Sequence, residues 1–167
     1  FLAGAFGFIW AIEKNKNSGL GVALLLGFTF FMGIMLTPLL TRTLGFSNGA
    51  SLIATAAGGT GAIFFTLAGI ATVTKKDFSF MGGFLMVGIL LAFFAGLAAI
   101  FFEIPALSLT VSAAFVLLMS GLILYETSNI IHGGETNYVM ATVSLYVTIF
   151  NLFTSLLQLL GFANSSD

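Results

Sequence analysis

The sequence predicts an all-α integral membrane protein. Three observations lead there: the scarcity of charge, the length of the uncharged runs, and the short polar segments between them. Of 167 residues, 59% are hydrophobic and only 7% are Asp, Glu, Lys or Arg. A soluble domain carries about 25% charged residues, because it must cover its surface with them. One domain of this size cannot hide so much apolar surface from water, so a mean hydropathy of +1.14 requires lipid as the solvent.

The same composition excludes classes of function. A net charge of −1 with five basic residues leaves no electrostatic footprint for nucleic acid. Cysteine is absent, which removes disulfides, thiolate metal sites, iron–sulfur clusters and thiol nucleophiles. Phe1 opens directly into an apolar run with no initiator Met, no basic leader and no small-residue cleavage site. No signal peptide is visible, and the chain is expected to lack its beginning.

A helix crosses the hydrocarbon with about 20 mostly apolar residues. Residues 1–12 are too few to span and read as the second half of a span that ends at Glu13-Lys14-Asn15-Lys16-Asn17. Residues 19–40, 49–74, 80–102, 105–125 and 138–163 are each long enough and free of Asp, Glu, Lys and Arg. A single helix over 80–125 would be about twice the thickness of a bilayer. Glu103 and Pro105 divide it, and Pro105 suits the first turn of a new helix, where its missing N–H costs nothing. Glu103-Ile104-Pro105 therefore reads as a tight hairpin at one membrane face. Pro38 lies inside its run and should kink or stop that helix. The longest polar loop, 126–137, has twelve residues, so residues 1–167 form one transmembrane domain with no folded part outside the lipid.

Lys and Arg in short loops prefer the cytoplasm. Lys14, Lys16, Lys75 and Lys76 fall on one side with the loop 126–137, and only Arg42 falls on the other. The Lys side is expected inside. The tail 164–167 is then external, which is periplasmic in a bacterial inner membrane.

The last helix carries the clearest chemical pattern. Ser144, Thr148, Asn151, Ser155 and Gln158 recur at helical spacing and share one face. Asn and Gln in hydrocarbon need hydrogen-bond partners, so this helix should be central, with Asn151 bonded to neighbouring helices. The stripe serves equally as glue between helices or as a water-accessible path. Small residues at intervals of four, such as Gly58, Ala62 and Thr66, signal close helix packing and nothing more specific.

Glu126 follows Tyr125 directly at the end of a span. If that helix continues to Ile131, Glu126 enters the membrane, where a carboxylate is a candidate proton-exchanging group; otherwise it is an interfacial Glu solvated by headgroups. Glu126, His132 and Glu135 do not have a recognised metal-ligand spacing, and Ile131-His132-Gly133-Gly134-Glu135 reads more simply as a solvated, Gly-hinged loop. There is no HExxH, no GxSxG and no Asp within any span, so an enzyme is not expected, nor a cofactor.

The stretch YETSNIIHGGETNYVMATVSLYVTIFNLFTSLLQLLG, Tyr125 to Gly161, resembles the Bax inhibitor-1 family of multispanning proteins, and within it a bacterial type that modulates an FtsH membrane protease. The resemblance continues through GFTFFMGIMLTPLL (27–40), TKKDFSFMGGFLM (74–86) and IPALSLTVSA (104–113), covering nearly the whole chain. The run from Glu126 to Tyr138, with His132, Gly133, Gly134 and Glu135 at its centre, is close to a signature of the bacterial type.

The resemblance implies a seven-helix bundle whose last helix is enclosed by the other six, with the first helix and part of the second absent from this chain. Calcium-leak members carry paired Asp residues on the last two helices with a basic residue nearby. By motif position Glu126 matches the first Asp, Thr148 the second, and the basic partner falls near Lys14 to Lys16; Glu126 should then lie near Thr148. Two carboxylates can share one proton, whereas one Glu opposite a Thr cannot. The expectation is an inner-membrane regulator that binds an FtsH-type protease, with HflK and HflC as possible companions, as a poorly degraded substrate or competitor. The alternative is a pH-sensitive cation (calcium) or proton leak along the polar stripe.

Overall fold

The computed structural model describes the backbone of residues 2–165 and the side chains of residues 3–161. Six α-helices follow one another: α1 (Leu2–Lys14), α2 (Gly19–Leu44), α3 (Gly49–Thr74), α4 (Gly82–Phe101), α5 (Pro105–Ile131) and α6 (Tyr138–Ser165). A short 3-10 turn, Ser79–Met81, leads into α4, and no strand occurs among the described residues. Five of the helices are long and apolar enough to cross a membrane. The thirteen residues of α1 reach about 20 Å, short of the ~30 Å hydrocarbon core.

These segments are helical because lipid leaves the backbone no other partner. The same rule governs their hydroxyls. Thr43, Thr60, Thr72 and Thr110 each donate to the carbonyl four residues back, at 2.7 to 2.9 Å. Pro38 does not stop α2, which runs on to Leu44. In hydrocarbon, leaving the helix would strip more backbone hydrogen bonds than the one a proline removes.

The turns are tight. A methyl added to Gly21 would strike the Asn15 carbonyl, and one added to Gly49 would strike the Thr43 carbonyl. The hairpin between α4 and α5 places Glu103 at φ 53°, in the left-handed region. The N–H of Ile104 then returns to the Ala99 carbonyl at 3.1 Å, closing the end of α4 before Pro105 opens α5 at its first turn.

The last helix is the hub. One apolar cluster joins Val139 and Val143 to Ile12 of α1 and to Phe28 and Met32 of α2. A second joins Leu157 to Leu52 and Ala56 of α3, and a third joins Leu152 to Met119 and Ile123 of α5. Every other long helix exposes several large apolar side chains, whereas among the described residues of α6 the only one is Tyr138 at its start. The enclosure is not complete. Helix α4 packs on α5 and makes no close backbone approach to α6. Its Phe84, Leu91, Phe94 and Phe101 are all more than 60% exposed, so α4 lies at the edge of the described bundle. Residues 166–167 of the expected external tail lie outside the described residues.

Candidate functional site

Hydrogen bonds draw three loops together at the end of the bundle that carries the lysines. Helix α5 continues past Tyr125 to Ile131, which places Glu126 inside the helix and turns Ser128 toward the loop between α3 and α4. Ser128, only 1% exposed, accepts the Phe78 N–H at 2.9 Å and donates to the Lys76 carbonyl at 3.5 Å. Asn137 holds the other side. Its Oδ1 accepts the Met140 N–H at 3.0 Å, capping α6, while its Nδ2 donates to the Lys16 carbonyl at 3.1 Å and to Asn17 Oδ1 at 2.9 Å. One side chain thus starts the central helix and fastens the loop between α1 and α2.

The segment between these two residues folds back on α5. The N–H groups of Gly134 and Glu135 both donate to the Asn129 carbonyl, at 2.7 and 3.2 Å, and Gly133 takes φ 83°. Glu135 Oε1 accepts the Asn137 N–H at 3.1 Å. His132 and both glycines are exposed. Opposite them Asp77 accepts the Ser79 N–H at 2.9 Å. That bond, with the Ser79 hydroxyl, holds the Asp77 carboxyl below its ordinary range against some desolvation, and His132 and the Ser128 hydroxyl add smaller contributions in the same downward direction.

Deeper in the bundle, the Thr148 hydroxyl donates to Glu126 Oε1 at 2.5 Å across the α5–α6 interface and also lies 3.0 Å from the Ser144 carbonyl. Thr148 is 2% exposed. Beside Glu126, the buried Thr127 hydroxyl has no hydrogen-bond partner. Glu126 and Thr148 thus lie together, as the resemblance implied. The basic position does not join them. Lys14 places its ammonium 5.8 Å from the centre of the Trp10 ring, and among the described residues the structure records no ion pair.

The rest of the polar stripe is divided. Ser155 is buried, while Asn151 Nδ2 donates to the Val147 carbonyl of its own helix at 2.9 Å, not to a neighbouring helix as expected. Helical geometry offers that carbonyl at no cost in rearrangement. Gln158 reaches across to α5, where its Oε1 accepts the Ser112 hydroxyl at 3.2 Å. Among the described residues no three His, Asp or Glu side chains gather as a metal site.

Two residues of this assembly, Ser128 and Asn137, escaped the sequence reading. Asn137 had a usable signal, an Asn immediately before an apolar helix, which is the ordinary mark of an N-cap. Ser128 had none, since its partner lies fifty residues away in sequence.

A bundle of apolar helices wound around a polar-striped last helix, closed at one end by the run Glu126 to Tyr138, defines a class: a multi-pass membrane protein. Residues 1–165 match the family described as inhibitor of apoptosis-promoting Bax1, and the chain belongs to that family. It is 48% identical over 163 residues to the modulator of FtsH protease YccA of Escherichia coli (strain K12), covering 98% of this chain and 74% of that protein. It is similarly 46% identical over 166 residues to an uncharacterized protein of Pseudomonas aeruginosa, covering 99% of this chain and 75% of the relative. An uncharacterized membrane protein of Vibrio cholerae matches at 42% identity over 158 residues, 95% of this chain and 71% of the relative.

Proposed function

We propose that this chain is a multi-pass protein of the bacterial inner membrane that binds and modulates an FtsH-type quality-control protease, acting as a poorly degraded substrate or competitor. The observation that carries the reading is the 48% identity, over 98% of the chain, to a protein named for modulating that protease. A relative from another Escherichia coli strain, at the same identity, is named an inner membrane protein.

The geometry supports the same reading. A protease that pulls on its substrates must find a loose segment, and loops tied by buried or capped hydrogen bonds open less readily than free ones. Ser128 and Asn137 tie all three loops at the lysine-bearing end to helices α5 and α6. By the four-to-one distribution of Lys and Arg between the two ends this end faces the cytoplasm, with the C-terminus in the periplasm. The family resemblance implies a seven-helix bundle; the described residues form six α-helices.

Pull-down from native membranes in mild detergent tests the reading. Recovery of an FtsH-type protease, alone or with HflK and HflC, supports it; recovery of none of them overturns it. A cation or proton leak is the second reading, resting on the polar stripe of α6 and on the Glu126 carboxyl that α5 carries inside its helix. Ion flux through the purified protein in liposomes, lost in Glu126→Gln, would establish that reading instead.

A further inference from the structure

A cavity of about 580 Å³ lies at the opposite end of the bundle, walled by α2, α4, α5 and α6. That volume falls within the roughly 300–1,000 Å³ of sites that enclose a small ligand. Its walls are mixed. Leu39, Phe46, Val111 and Leu157 supply apolar surface, while Arg42, Ser108 and Gln158 supply polar atoms.

The polar atoms agree in sign. The Thr43 and Ser112 hydroxyls in the wall are committed to the Leu39 carbonyl and to Gln158 Oε1. What remains uncommitted among the described residues is the Arg42 guanidinium and the Gln158 NH₂ group, which only donate, and the Ser108 hydroxyl, which is able to donate. No carboxylate lines the cavity. An unpaired guanidinium beside two neutral donors selects an anion with several acceptor oxygens, and carboxylate and phosphate are the groups its fork matches.

The opening narrows the choice. Helices α2 and α4 make no close backbone approach, so the wall between them is incomplete. Ile100, which lines the cavity, is itself 70% exposed, and Phe101 beside it is 78% exposed. In a membrane-spanning bundle that side faces hydrocarbon. The cavity therefore opens sideways into the bilayer, with its cation near the helix ends, at the depth where phosphodiesters lie. A free anion from water would leave the apolar walls unfilled, whereas the acyl chain of a bilayer lipid fills them without leaving apolar surroundings.

We propose that this cavity is a phospholipid-binding site, in which the phosphodiester sits on Arg42 with Gln158 and Ser108 while one acyl chain enters between α2 and α4. The ligand class is a glycerophospholipid of the surrounding bilayer.

The test uses the full-length protein in nanodiscs doped with phosphatidylglycerol that carries a photoactivatable diazirine in one acyl chain. Labelled residues are mapped by mass spectrometry. Labels should concentrate on Ile100, Val111 and Leu157, and Arg42→Gln should reduce them about ten-fold, as expected for loss of a charge-assisted pair. Gly96→Leu should block entry, because a Cβ there meets only Val111 Cγ1 at ordinary contact distance, 3.5 Å, and the longer side chain points into the cavity wall. Since Arg42 is exposed, its variant should fold and decide the matter even if Gly96→Leu does not. Inorganic phosphate should not compete. Labels spread evenly over outward residues such as Phe94 and Leu117 would overturn the proposal. So would cavity labels indifferent to Arg42→Gln, displacement by phosphate, or a cavity kept free of label by another segment of the full-length chain.

Discussion

Thr148 faces Glu126 across the α5–α6 interface with a single proton to give and two acceptors to satisfy, the Glu126 carboxylate at 2.5 Å and the Ser144 carbonyl at 3.0 Å. With Glu126 ionised the hydroxyl must choose between them. With Glu126 protonated, the carboxyl can donate to Thr148 Oγ1 and Thr148 can donate onward to Ser144, so that both hydroxyl hydrogens are used.

This arrangement distinguishes two substitutions. Glu126→Gln retains a donor for Thr148 and should leave folding intact while abolishing any pH-dependent behaviour that runs through this contact. Thr148→Val removes the partner and leaves a carboxyl without it in the interior, which should cost about 1–3 kcal/mol. Thermal unfolding in detergent, read by circular dichroism, checks both. A melt of Thr148→Val unchanged from that of the parent protein would show that the contact does not bear on the fold.

Asn137 should matter more than its loop position suggests. Asn137→Ala removes the cap of α6, about 1 kcal/mol by itself, together with the two bonds to Lys16 and Asn17. Hydrogen exchange should quicken at Met140 and in the loop between α1 and α2, and not between α3 and α4. Ser128→Ala should give the converse pattern, with faster exchange at Phe78 and no change at Met140. Loosening of both loops by either substitution would mean that they open as one unit.

The sequence exposed the long-range plan better than the local contacts, for physical reasons. Hydropathy marks a membrane helix because lipid enforces about 20 apolar residues, so α2 to α6 were legible from composition. Helical spacing placed Ser144, Thr148 and Ser155 on one face, and the family motif paired Glu126 with Thr148. What spacing could not show is which acceptor a polar side chain takes. Asn151 uses the carbonyl of Val147 in its own helix, and no periodicity separates that outcome from a bond to a neighbour. Likewise, nothing in the apolar run of α4 marks it as the one long helix that stays off α6.

That finding lowers the expected cost of Asn151→Leu. An interhelical bond in a membrane is worth about 0.6 kcal/mol on average and up to about 2. A bond within α6 leaves behind a carbonyl that the helix itself still satisfies. The substitution should therefore cost no more than about 0.6 kcal/mol. A larger loss of stability in a mild-detergent melt would mean that Asn151 also reaches a neighbouring helix.

Asp77 gives a pH dependence whose sign can be worked out. Its carboxyl is held below the ordinary value chiefly by the Ser79 N–H. A group whose folded pKa is depressed stabilises the fold above its unfolded pKa and loses that contribution as pH falls through the folded one. The turn into α4 should therefore hold at neutral pH and loosen below about pH 4, the range of an unfolded Asp. Asp77→Asn should loosen it at neutral pH and remove the dependence. Exchange at the Ser79 amide against pH is the measurement; identical profiles for the two proteins would assign the protection to the 3-10 turn alone.

The orientation is open to a direct test because the chain contains no cysteine, so that each introduced thiol reports alone. The hydrogen bonds of Ser128 and Asn137 put the loops bearing Lys16, Lys76 and His132 at one end. Glu103 turns the hairpin between α4 and α5 at the other, with Arg42. By the Lys bias the first end is cytoplasmic. In intact cells with a permeabilised outer membrane, Glu103→Cys should react with a membrane-impermeant maleimide and His132→Cys should not, until the inner membrane is broken. A reporter fused after Asp167 should accordingly be active only outside the cytoplasm. Labelling of His132→Cys from outside, with Glu103→Cys protected, would invert the bundle and move the clamped loops away from any cytoplasmic protease domain.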